Sequence, residues 1–89
     1  MKVIYKYPLL PLATQRIELP RERKFLSLQT QGHNGVIWYL IDDLEEDEEV
    51  VIKTFMTGQS IPESKEEEYK YLGTYQLGAL VFHVCEELK

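Results

Sequence analysis

Apolar and polar residues alternate along most of the chain, which is the pattern of strands with one face buried and the other in water. In residues 2–7, for example, Val3, Tyr5 and Tyr7 fall on one side, and two lysines flank Ile4 on the other. Runs of this kind are typical of β structure rather than helix. The predicted strands cover residues 2–7, 15–19, 24–31, 36–41, 50–56, 69–76 and 79–86.

Residues 32–35, Gly-His-Asn-Gly, separate the third and fourth predicted strands. Asn and Gly both tolerate the positive φ that tight hairpin turns require, so these two strands are predicted to pair antiparallel. The run 36–41 that follows is apolar at every position. It is therefore predicted to lie centrally with both faces covered, and Trp38 and Tyr39 point to opposite faces.

Six or seven short strands with little helix predict a mainly β fold, a small antiparallel sandwich or a partly closed barrel. We expect residues 1–89 to form a single domain, because a chain of this length cannot be divided into two cores. Residues 42–49 hold seven carboxylates and are predicted to form an exposed acidic loop, since like charges cannot be desolvated together. Residues 63–68 are predicted as a second solvated loop, in which Ser64 and Glu67 have the spacing of a capping box.

The composition, with 44% hydrophobic residues, five glycines and four prolines, is that of a chain that folds. No apolar run reaches the length of a membrane span, and the amino-terminal residues lack the pattern of a secretory signal. The single cysteine, Cys85, cannot form an internal disulfide, which is typical of a reducing compartment. We therefore expect a cytoplasmic protein, and its small size favours a homo-oligomer.

Charge is distributed unevenly along the chain. Six basic and two acidic residues lie in residues 1–40, and four basic and thirteen acidic residues lie in residues 41–89. The chain has a formal net charge of −5 and repels phosphate backbones, so nucleic acid is not an expected partner. The acidic run is instead a candidate surface for a basic protein partner, which it could bind as a mimic of nucleic acid. Its residues are Asp42, Asp43, Glu45, Glu46, Asp47, Glu48 and Glu49.

The sequence makes a poor case for an enzyme. His33 lies in the hairpin turn and His83 in an apolar strand, where a structural histidine is the commoner case. Cys85 shares a strand face with His83, but the neighbouring Glu86 and Glu87 disfavour a thiolate there. The chain lacks paired zinc ligands, a calcium loop and a glycine-rich phosphate loop. We therefore expect no catalytic residues, no cofactor and no metal.

Two short segments are uncharged and rich in hydrogen-bonding groups, in a chain whose surface is otherwise dominated by charge. They are residues 57–60, Thr-Gly-Gln-Ser, and residues 73–76, Gly-Thr-Tyr-Gln. Neutral donors and acceptors and aromatic planes could together surround one small ligand. The candidate residues for such a site are Trp38, Thr57, Gln59, Thr74, Tyr75 and Gln76.

Several segments of the chain are similar to a family of small, uncharacterised bacteriophage and prophage proteins of about 80–100 residues. The similar segments are residues 2–7, 17–20, 57–62 (Thr-Gly-Gln-Ser-Ile-Pro), 71–76 (Tyr-Leu-Gly-Thr-Tyr-Gln) and 80–84 (Leu-Val-Phe-His-Val), together with the lone Trp38. The chain departs from the pattern at Cys85, where an aromatic residue is usual, and in the length of its acidic loop. The resemblance implies a phage context rather than a mechanism, because no activity is established for the family.

That context favours a non-enzymatic binding protein directed at the host. The leading hypothesis is a counter-defence factor that sequesters a nucleotide signal in the host cytoplasm, with Arg16 added to the candidate ligand-binding residues as the cation for phosphate. One alternative is an acidic inhibitor of a host protein, which uses the run 42–49. The other alternative is a structural or accessory phage protein that self-assembles without a ligand.

Overall fold

A computed structural model of the chain describes residues 1–61 and 68–88. Within these residues the chain forms seven strands and almost no helix. The strands are β1 (Lys2–Pro8), β2 (Thr14–Pro20), β3 (Arg23–Gln31), β4 (Asn34–Asp42), β5 (Asp47–Met56), β6 (Tyr69–Leu77) and β7 (Leu80–Glu87). The prediction of a mainly β, antiparallel fold of short strands is confirmed.

The strands form two antiparallel sheets, with the strand orders β1-β4-β3 and β2-β5-β7-β6. The predicted antiparallel pairing of β3 with β4 is confirmed, but the turn is Gly32-His33, with a positive φ at Gly32, rather than Asn34-Gly35. Asn34 and Gly35 pair with Gln31 and Thr30 as the first residues of β4. β4 is the most apolar strand and lies in the middle of the three-stranded sheet. Its central position follows from its sequence, because a strand that is apolar on both sides is stable only where neighbours cover it.

The two sheets pack face to face but do not close into a barrel. On one side β3 lies close to β6, where a Cβ built on Gly73 would lie 3.1 Å from Leu28 Cδ2. On the other side β1 and β2 are edge strands, each paired with a single neighbour among the described residues. The sandwich is therefore open between β1 and β2.

The core lies between the sheets and receives side chains from both. Its buried members are Leu9, Leu19, Ile37, Tyr39, Ile41, Val50, Ile52, Leu72, Tyr75, Phe82 and Val84. Leu72 is an extra residue in β6, because Tyr71 pairs with Cys85 while Gly73 pairs with Val84. This β-bulge reverses the alternation of inward and outward side chains along the rest of the strand.

The acidic loop is shorter than the sequence predicts. It is expected at residues 42–49, whereas β4 ends at Asp42 and β5 begins at Asp47, so the connection is only residues 43–46. The charged loop expected at residues 63–68, with its capping-box spacing, lies outside the described residues except for Glu68. No helix among the described residues is long and apolar enough to cross a membrane.

Candidate functional site

Tyr75 does not have the ligand-stacking position that its sequence context indicated. It points into the core, where its side chain is 4% exposed and its ring stacks on Phe82 at a centroid distance of 5.2 Å. Burial raises the pKa of its hydroxyl, and that hydroxyl has no hydrogen-bond partner among the described residues. The ring is a core element, so the prediction of Tyr75 as an accessible stacking platform is wrong.

Trp38 and Arg16 lie on different surfaces of the sandwich. Trp38 is on the outer face of the three-stranded sheet, where Lys6 Nζ lies 5.9 Å from its ring centroid. Arg16 is exposed on the edge strand β2, with its Nη1 3.9 Å from Glu49 Oε1. The expected nucleotide pocket needed both side chains around one ligand, and the fold does not bring them together.

Thr57 and Thr74 are brought together, and the residue that joins them is His83. The Thr57 hydroxyl lies 2.8 Å from His83 Nε2, and the Thr74 hydroxyl lies 2.9 Å from His83 Nδ1. Tyr71 adds its own hydroxyl to that of Thr74. A neutral histidine donates a hydrogen bond from one nitrogen and accepts one at the other. These four exposed side chains therefore satisfy one another's hydrogen-bonding groups.

The remaining predicted ligand residues are used within their own turns. Gln76 donates through Nε2 to the carbonyl of Gly78 at 2.9 Å, and Gln59 Oε1 accepts from the Met56 N–H at 3.0 Å. Gln59 also lines a small, mostly apolar cavity with Met56 and Phe82. The seven predicted ligand-binding residues thus occupy several separate places on the fold.

Cys85 lies beside the His83 network but is buried, with 7% of its surface exposed. Burial raises the pKa of its thiol, which favours the protonated and unreactive form. Among the described residues no group of three or more His, Cys, Asp or Glu is arranged to hold a metal ion.

An acidic cleft lies at the open side of the sandwich, between β1, β2 and the β4–β5 connection. It has a volume of about 320 Å³. Its walls combine five carboxylates with two tyrosine rings, and Pro20 and Ile41 complete them. The carboxylates belong to Glu18, Asp42, Asp43, Glu45 and Asp47, and the rings to Tyr5 and Tyr7. We refer to this feature as the acidic cleft.

The tight β4–β5 connection places the carboxylates around the cleft. The N–H of Glu45 donates to the carbonyl of Asp42 at 3.1 Å, and the N–H of Leu44 donates to the Asp42 carboxylate at 3.0 Å. The Leu44 N–H, followed by the ammonium of Met1 at 3.2 Å, lowers the pKa of Asp42. Arg21 fixes the other end of the connection, since its N–H donates to the carbonyl of Glu46 at 2.9 Å.

The two tyrosines of the cleft have different environments. Tyr5 is 53% exposed, while Tyr7 is partly buried and makes an edge contact with Tyr39 at a centroid distance of 6.0 Å. Burial raises the pKa of Tyr7, and the charge of Asp47 raises it further. The Tyr7 hydroxyl therefore stays neutral, and its ring offers an electron-rich face beside anionic groups.

Only some residues of the predicted acidic surface line the acidic cleft. Asp42, Asp43, Glu45 and Asp47 line the cleft. Glu48 instead points between the sheets, where its Oε2 lies 2.9 Å from Nη1 of Arg23, and Glu49 lies on the outer face with Arg16. Glu46 is exposed in the connection and does not line the cleft.

Glu18, Tyr5 and Tyr7 were not predicted as members of this site. The acidic run alone could not indicate them, because they depend on the pairing of β2 with β5 and on the opening between β1 and β2. The alternation that places Tyr5 and Tyr7 on the inner face of β1 was visible in the sequence. It did not show that this face reaches the acidic connection.

Comparisons with known proteins give a family but no activity. Residues 1–89 match a family described as a domain of unknown function, DUF7352. No curated protein and no solved structure matches the chain.

Proposed function

We propose that this chain, which belongs to the DUF7352 family of domains of unknown function, is a non-enzymatic binding protein whose acidic cleft holds a basic segment of a partner protein. The observation that supports this proposal is the combination of five carboxylates and two tyrosine rings around one cavity of about 320 Å³. The partner would insert a lysine or arginine side chain into the cleft.

The chemistry of the cleft suits a guanidinium or ammonium group. Carboxylates accept charge-assisted hydrogen bonds from such groups, and arginine can bind one carboxylate through two parallel bonds. An aromatic face within about 6 Å of a cation adds a further attraction, which Tyr5 and Tyr7 can supply. The acidic residues beyond the cleft would steer a basic partner toward it, so association should be faster at low salt.

A protein partner is favoured over a nucleotide for two reasons. The residues expected to form a nucleotide pocket lie apart, with Tyr75 in the core and Trp38 on the opposite sheet from Thr57 and Thr74. The acidic cleft is lined by carboxylates, which repel phosphate. A smaller cavity of about 190 Å³ carries Arg21, Arg23 and Lys70, but none of the predicted ligand residues lines it. The acidic inhibitor hypothesis therefore replaces nucleotide sequestration as the proposed mechanism.

The biological setting is part of the same proposal. The sequence resemblance to phage and prophage proteins suggests a basic regulatory or defence protein of the host as the partner, met in the host cytoplasm. Counter-defence would then consist of covering a basic surface that normally binds nucleic acid. A homo-oligomer is also expected, and a structural role in the phage would require self-assembly without such a partner.

The experiment measures binding of a fluorescent peptide with four arginines by anisotropy, against the same peptide with citrulline at those positions. In 50 mM salt we expect the arginine peptide to bind and the citrulline peptide to bind at least tenfold more weakly. The cleft variant combines Glu18→Gln, Asp43→Asn and Glu45→Gln. It should weaken binding of the arginine peptide about tenfold or more, because three of the five carboxylates are removed.

A matched control keeps the charge change but places it elsewhere. Glu22→Gln, Glu46→Gln and Glu87→Gln remove the same three charges at exposed or partly exposed positions outside the cleft. This variant should bind the peptide about twofold more weakly at most. Equal losses in both triple variants would show that net charge alone attracts the peptide, and the cleft proposal would then be wrong.

A further inference from the structure

A second charged cavity lies on the side of the sandwich where β3 approaches β6, and most of its charged groups are cations. Its volume is about 190 Å³. Arg21, Arg23 and Lys70 supply three positive charges to its walls, and Glu86 supplies the one carboxylate among the described residues. We refer to this feature as the basic cavity. It is separate from the acidic cleft, which lies at the opening between β1 and β2.

The strand register turns the charged residues of the basic cavity toward the space between the sheets. Arg23 pairs with Ile41, and Glu86 pairs with Ile52, and both isoleucines belong to the core. Directly paired residues share a face of the sheet, so Arg23 and Glu86 also lie on inner faces. Lys70 joins them because it pairs with Glu86. Charged side chains therefore occupy inward positions that a sandwich usually fills with apolar residues.

Arg23 is held in place by other groups of the protein. Its Nη1 donates to the Pro20 carbonyl and to Glu48 Oε2, each at 2.9 Å, and its Nη2 lies 3.4 Å from Glu86 Oε2. The other carboxylate oxygen of Glu86 lies 3.5 Å from the Tyr39 hydroxyl. Arg23 is thus a fixed positive charge in the wall of the basic cavity, and both oxygens of Glu86 have partners within the protein.

Arg21 and Lys70 are cations of the basic cavity that make no ion pair with the residues that the structure describes. Both side chains are exposed, so they can turn toward a ligand without breaking an ion pair. Glu48 bonds Arg23 from beyond the lining, so three cations and two carboxylates are grouped here. One positive charge is therefore left over, which favours an anion as the ligand.

We propose that the basic cavity binds an oxyanion, a carboxylate or phosphate group, between Arg21 and Lys70, with Arg23 as a fixed charge in the wall. Arginine suits both groups because its planar N–H donors match the spacing of their oxygens, and lysine binds them as a point charge. This site selects the opposite charge from the acidic cleft. It does not depend on the function proposed for the cleft.

The test titrates the ¹⁵N-labelled full chain with sodium phosphate and, in parallel, with sodium acetate, and follows the amide resonances. Sodium chloride keeps the ionic strength constant, which separates binding from general screening of charge. At least one anion should give saturable shifts at Arg21, Arg23, Lys70 and Glu86. Tighter binding of phosphate would identify a phosphate-bearing ligand as the source of the oxyanion, and tighter binding of acetate would identify a carboxylate.

A matched pair of lysine variants tests whether the basic cavity is the site. Lys70→Gln should weaken binding about fivefold or more, because it removes a cation of the cavity that has no ion pair. Lys24→Gln removes the same charge from an exposed residue that follows Arg23 but faces outward and does not line the cavity. It should weaken binding less than about twofold. Equal losses in both variants would overturn the proposal, and so would shifts that do not saturate with either anion.

The triple variant of the acidic cleft separates this site from the proposed function. Glu18→Gln, Asp43→Asn and Glu45→Gln should leave anion binding within about twofold of the parent protein, because none of these residues lines the basic cavity. Lys70→Gln should in turn keep the binding of the arginine peptide. Loss of anion binding in the cleft variant would show that the two sites are not independent, and the proposal would then be wrong.

Discussion

The ring of Tyr75 lies directly against the backbone of Gly35 in the opposite sheet. A Cβ built on Gly35 would lie only 2.7 Å from both Cε1 and Cζ of Tyr75, closer than carbon atoms approach in proteins. Both residues are buried, and the ring also stacks on Phe82. Glycine at position 35 therefore allows the tyrosine to reach the core, as aromatic rings do over glycines in other sheets.

This contact predicts that Gly35→Ala destabilises the protein. The added methyl group overlaps a ring that is held on its other side by Phe82, so either β4 or β6 must shift. Overpacking of this kind costs about 1–3 kcal/mol in the free energy of unfolding. Urea unfolding followed by Trp38 fluorescence measures the change.

The same substitution in a Tyr75→Leu background provides the control. Leucine lacks Cε1 and Cζ, the two atoms that the new methyl group would approach most closely, so Gly35→Ala should cost less than half as much there as in the parent protein. An equal cost in both backgrounds would show that the ring is not the cause of the destabilisation.

The burial of Cys85 predicts that its thiol reacts slowly in the folded protein, with or without His83. The thiol is buried, and burial raises its pKa, so the thiolate that reacts with disulfide reagents is scarce in the folded protein. We expect modification by 5,5′-dithiobis(2-nitrobenzoate) at pH 8 to be at least a hundredfold slower in the native protein than in 6 M guanidinium. His83→Gln should leave the native rate low. A fast native reaction that His83→Gln abolishes would instead show a reactive Cys–His pair.

Most of the strands could be predicted from the sequence, but the direction of some side chains could not. Alternation and the turn-forming run 32–35 indicate where strands and a hairpin lie, because these depend on neighbouring residues, although the turn forms at Gly32-His33 rather than at Asn34-Gly35. The bulge at Leu72 has no such local signal. It decides that Tyr75 rather than Thr74 faces the core, whereas the two neighbours would lie on opposite faces of the sheet in either case.

The candidate site shows the same division between local and non-local information. Asp42 and Asp47 are conspicuous in the sequence because they belong to one acidic run. Glu18 joins them only because β2 pairs with β5, and Tyr5 joins them only because β1 is left at the open edge. Non-local pairing of this kind is not encoded in any single window of the sequence.

The side chain of Arg23, on β3, bonds Glu48 of β5 and Glu86 of β7 and so connects the two sheets. We therefore expect its removal to destabilise the protein. Arg23 Nη1 lies 2.9 Å from Glu48 Oε2, and its Nη2 lies 3.4 Å from Glu86 Oε2, with the Arg23 side chain only 13% exposed. Arg23→Met would remove the guanidinium that bonds Glu48, Glu86 and the carbonyl of Pro20. We expect a loss of about 2 kcal/mol in urea unfolding, and less than about 0.5 kcal/mol for Arg21→Met at an exposed position nearby.

Tyr39 predicts how stability changes at alkaline pH. Burial, followed by the charge of Glu86, raises the pKa of Tyr39 to about 12, whereas an unfolded tyrosine titrates near pH 10. Below pH 10 the hydroxyl is protonated in both states, and its contribution to stability is fully present. As the pH rises from 10 through 12, the unfolded state loses this proton first, so the free energy of unfolding should fall by up to about 3 kcal/mol.

Urea unfolding between pH 9 and pH 12 measures this loss in the parent protein and in Tyr39→Phe. The phenylalanine variant has no proton to lose at this site, so much of the decline should disappear; Tyr7 and Tyr75, whose pKa values are also raised, account for a remainder. Tyr71→Phe is the control, since Tyr71 is largely exposed, and it should retain the decline. An unchanged alkaline decline in Tyr39→Phe would mean that another group controls it, and that the buried Tyr39 hydroxyl does not limit stability at high pH.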